Sequence, residues 1–528
     1  MMVSHPFFFG PAERPLFGWY HGPAGPVRQA VLLCPALGLD GTRAHRSYRH
    51  LAERLARAGS AVLRFDWHGT GDSSGDDHEP DRVATWLGDL GLAIDELKRR
   101  SGAARLALVG TRAAAALVGH VASQRDDIDA VVLWIPVMTG ATWVAEMAKL
   151  HKLYLRIVPQ ADTPEPGGEE LLGSFASNAT IADLARIDLL ALGRRPAQWV
   201  LVVDDGPLRG GEQLRDRLRA LGAEVEWSRH SGQKFLLTVP HKATLPEESI
   251  DAMVAWLAKL PAGAPAATVA GVIAETPFDE RPIRFGADGS RFGILTAPST
   301  PPPAGRPAVL VLNAGAVNRT GTHRLSVRMA RRWAALGFTV FRIDLSGIGD
   351  TPAAEGTRES LVYPPDGYVD IDLAIDVLAA ETAASRFIIV GLCSGADFAF
   401  QLARRDPRLV GAVMMNPRTF LELDLGRVES ATPLACVPYS PASEEAERVA
   451  AGMGEISSRG LDALLVVSRP DPGIDFVDRH ATAAMREAET HPRFRRVDIP
   501  GTDHTFTTLA SQRTVIEVVT NEFMLRHL

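Results

Sequence analysis

The sequence is poor in several things that would each point to a protein class. It has three cysteines in 528 residues, Cys34, Cys393 and Cys436, odd in number and widely spaced. That argues against a disulfide framework and against a zinc site, and it fits a reducing cytoplasm. No apolar run approaches the ~18 residues that a membrane-spanning helix needs. Concentrated positive charge is also missing. The net charge is −7 with no basic stripe, so nucleic acid is not an expected partner. The first residues, MMVSHPFFFG, lack both the basic start and the apolar centre of a secretory leader. Nothing in the pattern calls for a metal ion or an organic cofactor.

What remains has the composition of globular protein, 46% apolar and 23% charged, in a chain too long for one ordinary core. It is internally repeated. AVLLCPALGLDGTRAHR (30–46) matches AVLVLNAGAVNRTGTHR (308–324) without a gap, at an offset of 278. The same offset relates LARAGSAVLRFDWHGTGD (55–72) to WAALGFTVFRIDLSGIGD (333–350), pairing His45 with His323, Arg46 with Arg324, Asp66 with Asp344 and Asp72 with Asp350. A period this long is a duplicated domain and not a solenoid. The Ala-, Pro- and Gly-rich stretch 258–277 marks the seam. It predicts domains at 1–260 and 275–528 with a linker at 261–274. Within each half, short β-branched runs alternate with amphipathic helices, which implies an α/β fold with a mainly parallel sheet. In such sheets chemistry gathers at the carboxyl ends of the strands.

The second half holds a set of catalytic parts at those ends. FIIVGLCSGADFAF (387–400) runs an apolar strand into Gly391-Leu392-Cys393-Ser394-Gly395 and on into an apolar helix. This is the strand–turn–helix setting of a G-x-S-x-G nucleophile elbow, with cysteine in the serine place. A helix starting at Ser394 aims its positive end at the sulfur and favours thiolate. The competing readings are an inert buried cysteine and Ser394 as the nucleophile. A thiol also needs a base. His504, in VDIPGTDHTF, follows a strand and a Gly turn near the C-terminus. The orienting acid should come between them. Asp471, in LLVVSRPDPGIDF, is the first choice and Asp475 the alternative. Oxyanion donors are expected from the Ser394 backbone and from the loop after the first strong strand, at Gly315 or Ala316. His323 and Arg324, repeated as His45 and Arg46, suit a structural role, with a substrate-phosphate contact by Arg324 as a minor alternative.

On these residues both halves resemble the α/β-hydrolase superfamily, in its serine-aminopeptidase-like and exosortase-associated group. The motifs are FDWHGTGDSSG and IDLSGIGDTP, GLCSG at the elbow, NPRTF (416–420) and GTDHTF. The resemblance covers nearly the whole chain, twice. It implies two tandem α/β-hydrolase domains, each with an eight-stranded-type sheet and a small cap insertion, at about 137–196 and 417–460. Cysteine at the elbow is shared with dienelactone hydrolases and polyhydroxyalkanoate synthases, which use acyl-cysteine intermediates. Similar tandem proteins accompany assembly-line biosynthesis, so the resemblance implies a small acyl substrate, free or carried on a carrier protein or on CoA.

The first half departs from the pattern. Its elbow reads Gly110-Thr111-Arg112-Ala113-Ala114, and arginine is no acyl nucleophile. Gln233 and Lys234 stand near the histidine position, and Asp204 is a candidate leftover acid. This half reads as a pseudohydrolase that docks on the second domain, walls its site or binds a ligand. A buried Arg112 needs an anionic partner or a bound carboxylate. The expected activity is cysteine-dependent acyl transfer or (thio)ester hydrolysis in the second half, with a non-catalytic binding protein as the rival from another class.

Overall fold

The computed structural model describes residues 3–158, 165–206, 210–232, 236–263, 279–418, 420, 442–469, 471, 478 and 482–528. The chain divides into two compact units, Met1–Tyr154 with Pro164–Pro277, and Phe278–Leu528 with Leu155–Thr163. Most of the expected linker, beyond Gly263, lies outside the described residues.

Each unit is an eight-stranded sheet with one and the same strand order. In the first unit the strands lie side by side as Val3–Phe9, Leu16–Gly22, Ser60–Phe65, Gln29–Cys34, Leu106–Thr111, Ala130–Trp134, Trp199–Asp204 and Glu224–Arg229. In the second they lie as Asp279–Phe285, Arg291–Ala297, Val340–Asp344, Ala308–Val311, Phe387–Leu392, Leu409–Met415, Asp462–Arg469 and Phe494–Pro500. The opening hairpin pairs antiparallel and joins antiparallel to the third strand across; every later pairing is parallel. Helices on both faces explain why central strands such as FIIVGL and LALVGT are buried along their whole length and show no alternation. The helix Leu325–Ala334 shows the matching pattern, burying Leu325, Met329, Ala330 and Trp333 along one side.

Between Ala130–Trp134 and Trp199–Asp204, where the sequence suggests a cap, stand a helix Gly140–Ile157, a small hairpin (Gly168–Glu170, Phe175–Ser177) and a helix Asn178–Ala185. In the second unit the corresponding stretch contributes a helix Ala442–Ser458; residues 419 and 421–441 lie outside the described residues.

The repeated halves part ways just after the strand that precedes the oxyanion position. In the first unit a continuous helix, Gly38–Arg57, begins there and takes in His45 and Arg46. In the second unit the same stretch is a loop, and the helix starts only at Leu325. Arg319 explains the difference. Its backbone N–H donates to Asp344 at 2.6 Å, and its Nη1 donates to Asp344 at 2.8 Å and to Asp350 at 2.9 Å. These bonds pull the loop off any helical path, and Gly41 stands at this place in the first half, with no side chain to do so. His323 and Arg324 sit at φ 48° and 65°, in the turn that starts the helix, whereas His45 and Arg46 lie inside Gly38–Arg57.

Candidate active site

Cys393 sits at φ 59° and ψ −123°, a backbone conformation strained for any residue with a side chain. The strain is fixed from all sides. The Cys393 N–H donates to the Met415 carbonyl at 3.0 Å on the neighbouring strand. A Cβ on Gly391 would come within 2.0 Å of the Gly395 carbonyl, and one on Gly395 within 2.5 Å of the Asn313 carbonyl. Both flanking positions therefore have to be glycine. Cys393 is 8% exposed, at the carboxyl end of its strand and the N-terminus of the helix Ser394–Arg405.

Strand order brings the other two residues to the same edge. Asp471 lies just beyond Asp462–Arg469, His504 just beyond Phe494–Pro500, and these strands pair with each other. The His504 Nδ1 and a carboxylate oxygen of the fully buried Asp471 are 2.5 Å apart. The other ring nitrogen, Nε2, is buried without a well-aligned hydrogen bond, and Cys393 is the group beside it. Burial alone would lower the His504 pKa. The negative charge of a Cys393 thiolate and the Asp471 carboxylate outweigh it and raise the pKa from 6.5 to about 10. Asp475, the alternative acid, lies outside the described residues.

The oxyanion loop differs in one respect from the expectation. Gly315, at φ 57°, donates its N–H to the Ser394 hydroxyl at 3.0 Å, so this donor is already engaged. The Ser394 N–H opens its helix and has no intrahelical acceptor. Ala316 is buried in the same loop.

Two residues around this centre have no role assigned from the sequence, although they lie in the stretches NPRTF and FIIVGLCSGADFAF. Asn416 is fully buried at φ 44° just past the strand Leu409–Met415. Its amide donates to the Ser468 hydroxyl and to the His504 carbonyl, both at 2.8 Å, and accepts from the Ser468 N–H at 2.7 Å. It thus ties the histidine loop to two strand ends. Asp397, one helical turn after Cys393, accepts from the Tyr363 hydroxyl at 2.7 Å and from the Phe420 N–H at 3.0 Å. Burial, with the charges of Asp397 and Cys393 added, keeps the Tyr363 phenol well above its ordinary pKa and hence neutral. A lone acid in the apolar run ADFAF is the available signal for Asp397; for Asn416 it is its place at the head of NPRTF, just past a strand.

The first unit keeps the elbow without its chemistry. Arg112 stands at φ 57° and ψ −125°, and its N–H donates to the Trp134 carbonyl at 3.1 Å. Its guanidinium reaches Asp40 at 3.4 Å and Glu146 at 2.5 Å. Asp40 is 4% exposed and also accepts from the Trp143 indole at 3.4 Å. The anionic partners that a buried Arg112 requires are thus residues of the chain itself. Asp204 is not where an orienting acid belongs. It directly follows Val203, the cross-strand partner of Trp134, whereas Asp471 comes five residues after Val466, the equivalent partner of Met415. Its carboxylate is spent on the Trp227 indole at 2.8 Å and on Arg229 at 3.3 Å. Gln233 lies outside the described residues.

Residues 25–221 match the family model for serine aminopeptidase, S33, and residues 293–435 match that of the dienelactone hydrolase family. The second match takes in the elbow and ends before Asp471 and His504. No curated protein matches the chain. Among solved structures it is similar to a putative hydrolase from Agrobacterium vitis S4, at 17% identity over 48% of this chain and 98% of that one, with a TM-score of 0.34. It is also similar to Est1E from Butyrivibrio proteoclasticus with ferulic acid bound, at 16% identity over 48% and 99%, with a TM-score of 0.36. Two hydrolase-family segments, one in each half, and two sheets of one strand order identify the chain as a tandem protein of the α/β-hydrolase superfamily.

Proposed function

We propose that the second unit catalyses acyl transfer through an acyl-Cys393 intermediate, from an ester or thioester donor. The observation that carries this reading is His504, hydrogen-bonded to buried Asp471 on one side and facing Cys393 on the other. The Cys393 sulfur bonds to the carbonyl carbon, whose π electrons move onto oxygen. Collapse breaks the bond to the leaving thiolate or alkoxide, which takes the proton from His504 Nε2. The electrostatics favour this order. The thiolate charge holds the His504 pKa near 10, and acylation removes that charge, so the proton is released when the leaving group needs it. The now neutral Nε2 deprotonates the incoming water, amine or alcohol, whose attack regenerates the Cys393 thiolate.

The first unit, in this reading, is a pseudohydrolase. Its elbow is closed by the Arg112–Asp40–Glu146 ion pairs, which occupy the place of a nucleophile with charges already neutralised.

Intact-mass measurement with a simple acyl thioester tests the reading. One acyl group is expected on the wild type and none on Cys393→Ala. His504→Ala is expected to acylate roughly 100-fold to 10,000-fold more slowly, the range for loss of a general acid or base. No adduct across short and long acyl donors, from a protein that still binds them, would instead make the chain a binding protein. Decay of the adduct with and without added amines separates hydrolysis from transfer to an acceptor.

A further inference from the structure

Ser394 raises a question that the nucleophile next to it does not answer. Its side chain is 2% exposed, and its Oγ accepts the Gly315 N–H at 3.0 Å. A serine hydroxyl has two acceptor lone pairs and one proton to donate. Here the acceptor side is used, while the proton has no acceptor among the described residues. Leaving a buried donor unspent costs about 1–3 kcal/mol. A ligand oxygen placed beside this hydroxyl would accept the proton in a hydrogen bond.

The position says which oxygen. Ser394 directly follows Cys393, and its backbone N–H is the helix-terminal donor that faces a carbonyl attacked by the sulfur. Its hydroxyl projects from the same residue. The N–H of Gly315, bonded to Oγ from the loop side, withdraws electron density and makes the O–H a better donor. In the first unit Ala113 follows Arg112, so the hydroxyl is missing where the thiol is missing.

Resting on the acyl-Cys393 reading above, we propose that the Ser394 side-chain hydroxyl donates to the oxyanion that forms when Cys393 is acylated, with Gly315 polarising it from behind. Gly315 then acts through Ser394 and not by direct contact, so the donors at the oxygen are the N–H and the O–H of one residue, joined by the Ala316 N–H of the adjoining loop. As the carbonyl π electrons move onto oxygen, the hydroxyl proton stays on Oγ and is shared as a hydrogen bond. No proton is transferred.

The test compares two reactions of the same sulfur in the full-length protein. Acylation by a simple acyl thioester builds up charge on a carbonyl oxygen; alkylation by iodoacetamide displaces iodide and builds none there. Ser394→Ala is expected to slow acylation roughly 100-fold, the scale for loss of one oxyanion donor, and to leave the alkylation rate within about twofold. Ser394→Thr, which keeps the hydroxyl, is expected to recover most of the acylation rate. Where the alanine variant does not fold, Ser394→Cys offers the same volume with a much weaker donor. Acylation of Ser394→Ala at the wild-type rate would overturn the assignment, and so would a parallel fall in acylation and alkylation, which places the effect on the thiol. If the wild type is alkylated at Cys393 but never acylated, the nucleophile reading itself fails and the donor assignment falls with it.

Discussion

The turn at Arg112 and the turn at Cys393 are nearly the same piece of backbone. One has φ 57° and ψ −125°, the other φ 59° and ψ −123°, and each donates its N–H to the last residue of the next strand. Strain of this kind is commonly linked to function. Here it persists in a unit whose elbow residue has no acyl chemistry, so the fold itself maintains it. What separates the two sites is what surrounds the turn. Around Cys393 there is an aspartate-bound histidine and a loop held open by Arg319. Around Arg112 the loop has wound into the helix Gly38–Arg57, and two carboxylates neutralise the centre.

The sharpest way to separate the elbows is by charge. A His504 pKa raised to about 10 means that the folded protein binds this proton more tightly than the unfolded chain, whose histidine titrates near 6.5. The resulting stability is fully present below pH 6.5 and is lost as pH rises through about 10. Thermal unfolding followed from pH 7 to 10.5 should show this fall in the wild type. Cys393→Ala removes the thiolate charge that sustains the shift, so most of the fall should disappear. An unchanged slope in that variant would mean that Cys393 does not hold the proton on His504. Arg112 offers no titration in this window, so the first elbow contributes nothing to the fall.

The next effect belongs to the first unit. Arg112→Leu leaves the carboxylate of Asp40, 4% exposed, with the long Trp143 contact and the charge of Arg43 nearby. Breaking a buried pair from one side costs about 3–5 kcal/mol. Part of the guanidinium faces the half-exposed Glu146, so the lower end, about 3 kcal/mol in urea unfolding, is expected. Adding Asp40→Asn to Arg112→Leu should recover most of the loss, because it removes the stranded charge. A single variant within about 0.5 kcal/mol of wild type would show that the pair is not structural.

Much of this contrast is legible in the amino-acid sequence. The offset of 278 and the apolar runs set out two sheets, and Cys393, His504 and Asp471 can be named because each sits just beyond a strand. What stays hidden is anything that needs cross-strand register or a distant partner. Asp204 reads as an acid after a strand, but its pairing places it too near the strand end. The partners of Arg112 come from residues 72 positions before it and 34 after it, and no local pattern connects them. Spacing puts the Gly315 N–H at the oxyanion itself, and a sequence does not show that a neighbouring hydroxyl has taken it.

The last comparison is one step from each elbow. Ile135 in the first unit and Asn416 in the second follow equivalent strands at φ 40° and 44°, and each donates its N–H to the next strand, at 2.7 Å and 2.9 Å. Asparagine tolerates that conformation and a β-branched residue does not, so the first half bears the strain with no side-chain bond in return. Asn416→Ile copies the first half into the second. It leaves the Ser468 N–H and the His504 carbonyl without their bonds to this amide, at about 1–3 kcal/mol for a buried group so stranded. A loss of about 2 kcal/mol is expected, together with acylation slowed roughly tenfold by a less firmly placed imidazole. Asn416→Gly separates the two causes, since it accepts the backbone angle and removes only the amide. If the glycine variant acylates like wild type, the His504 loop does not depend on Asn416. If it is as slow as the isoleucine variant, the hydrogen bonds of this one side chain distinguish a working strand end from its strained copy.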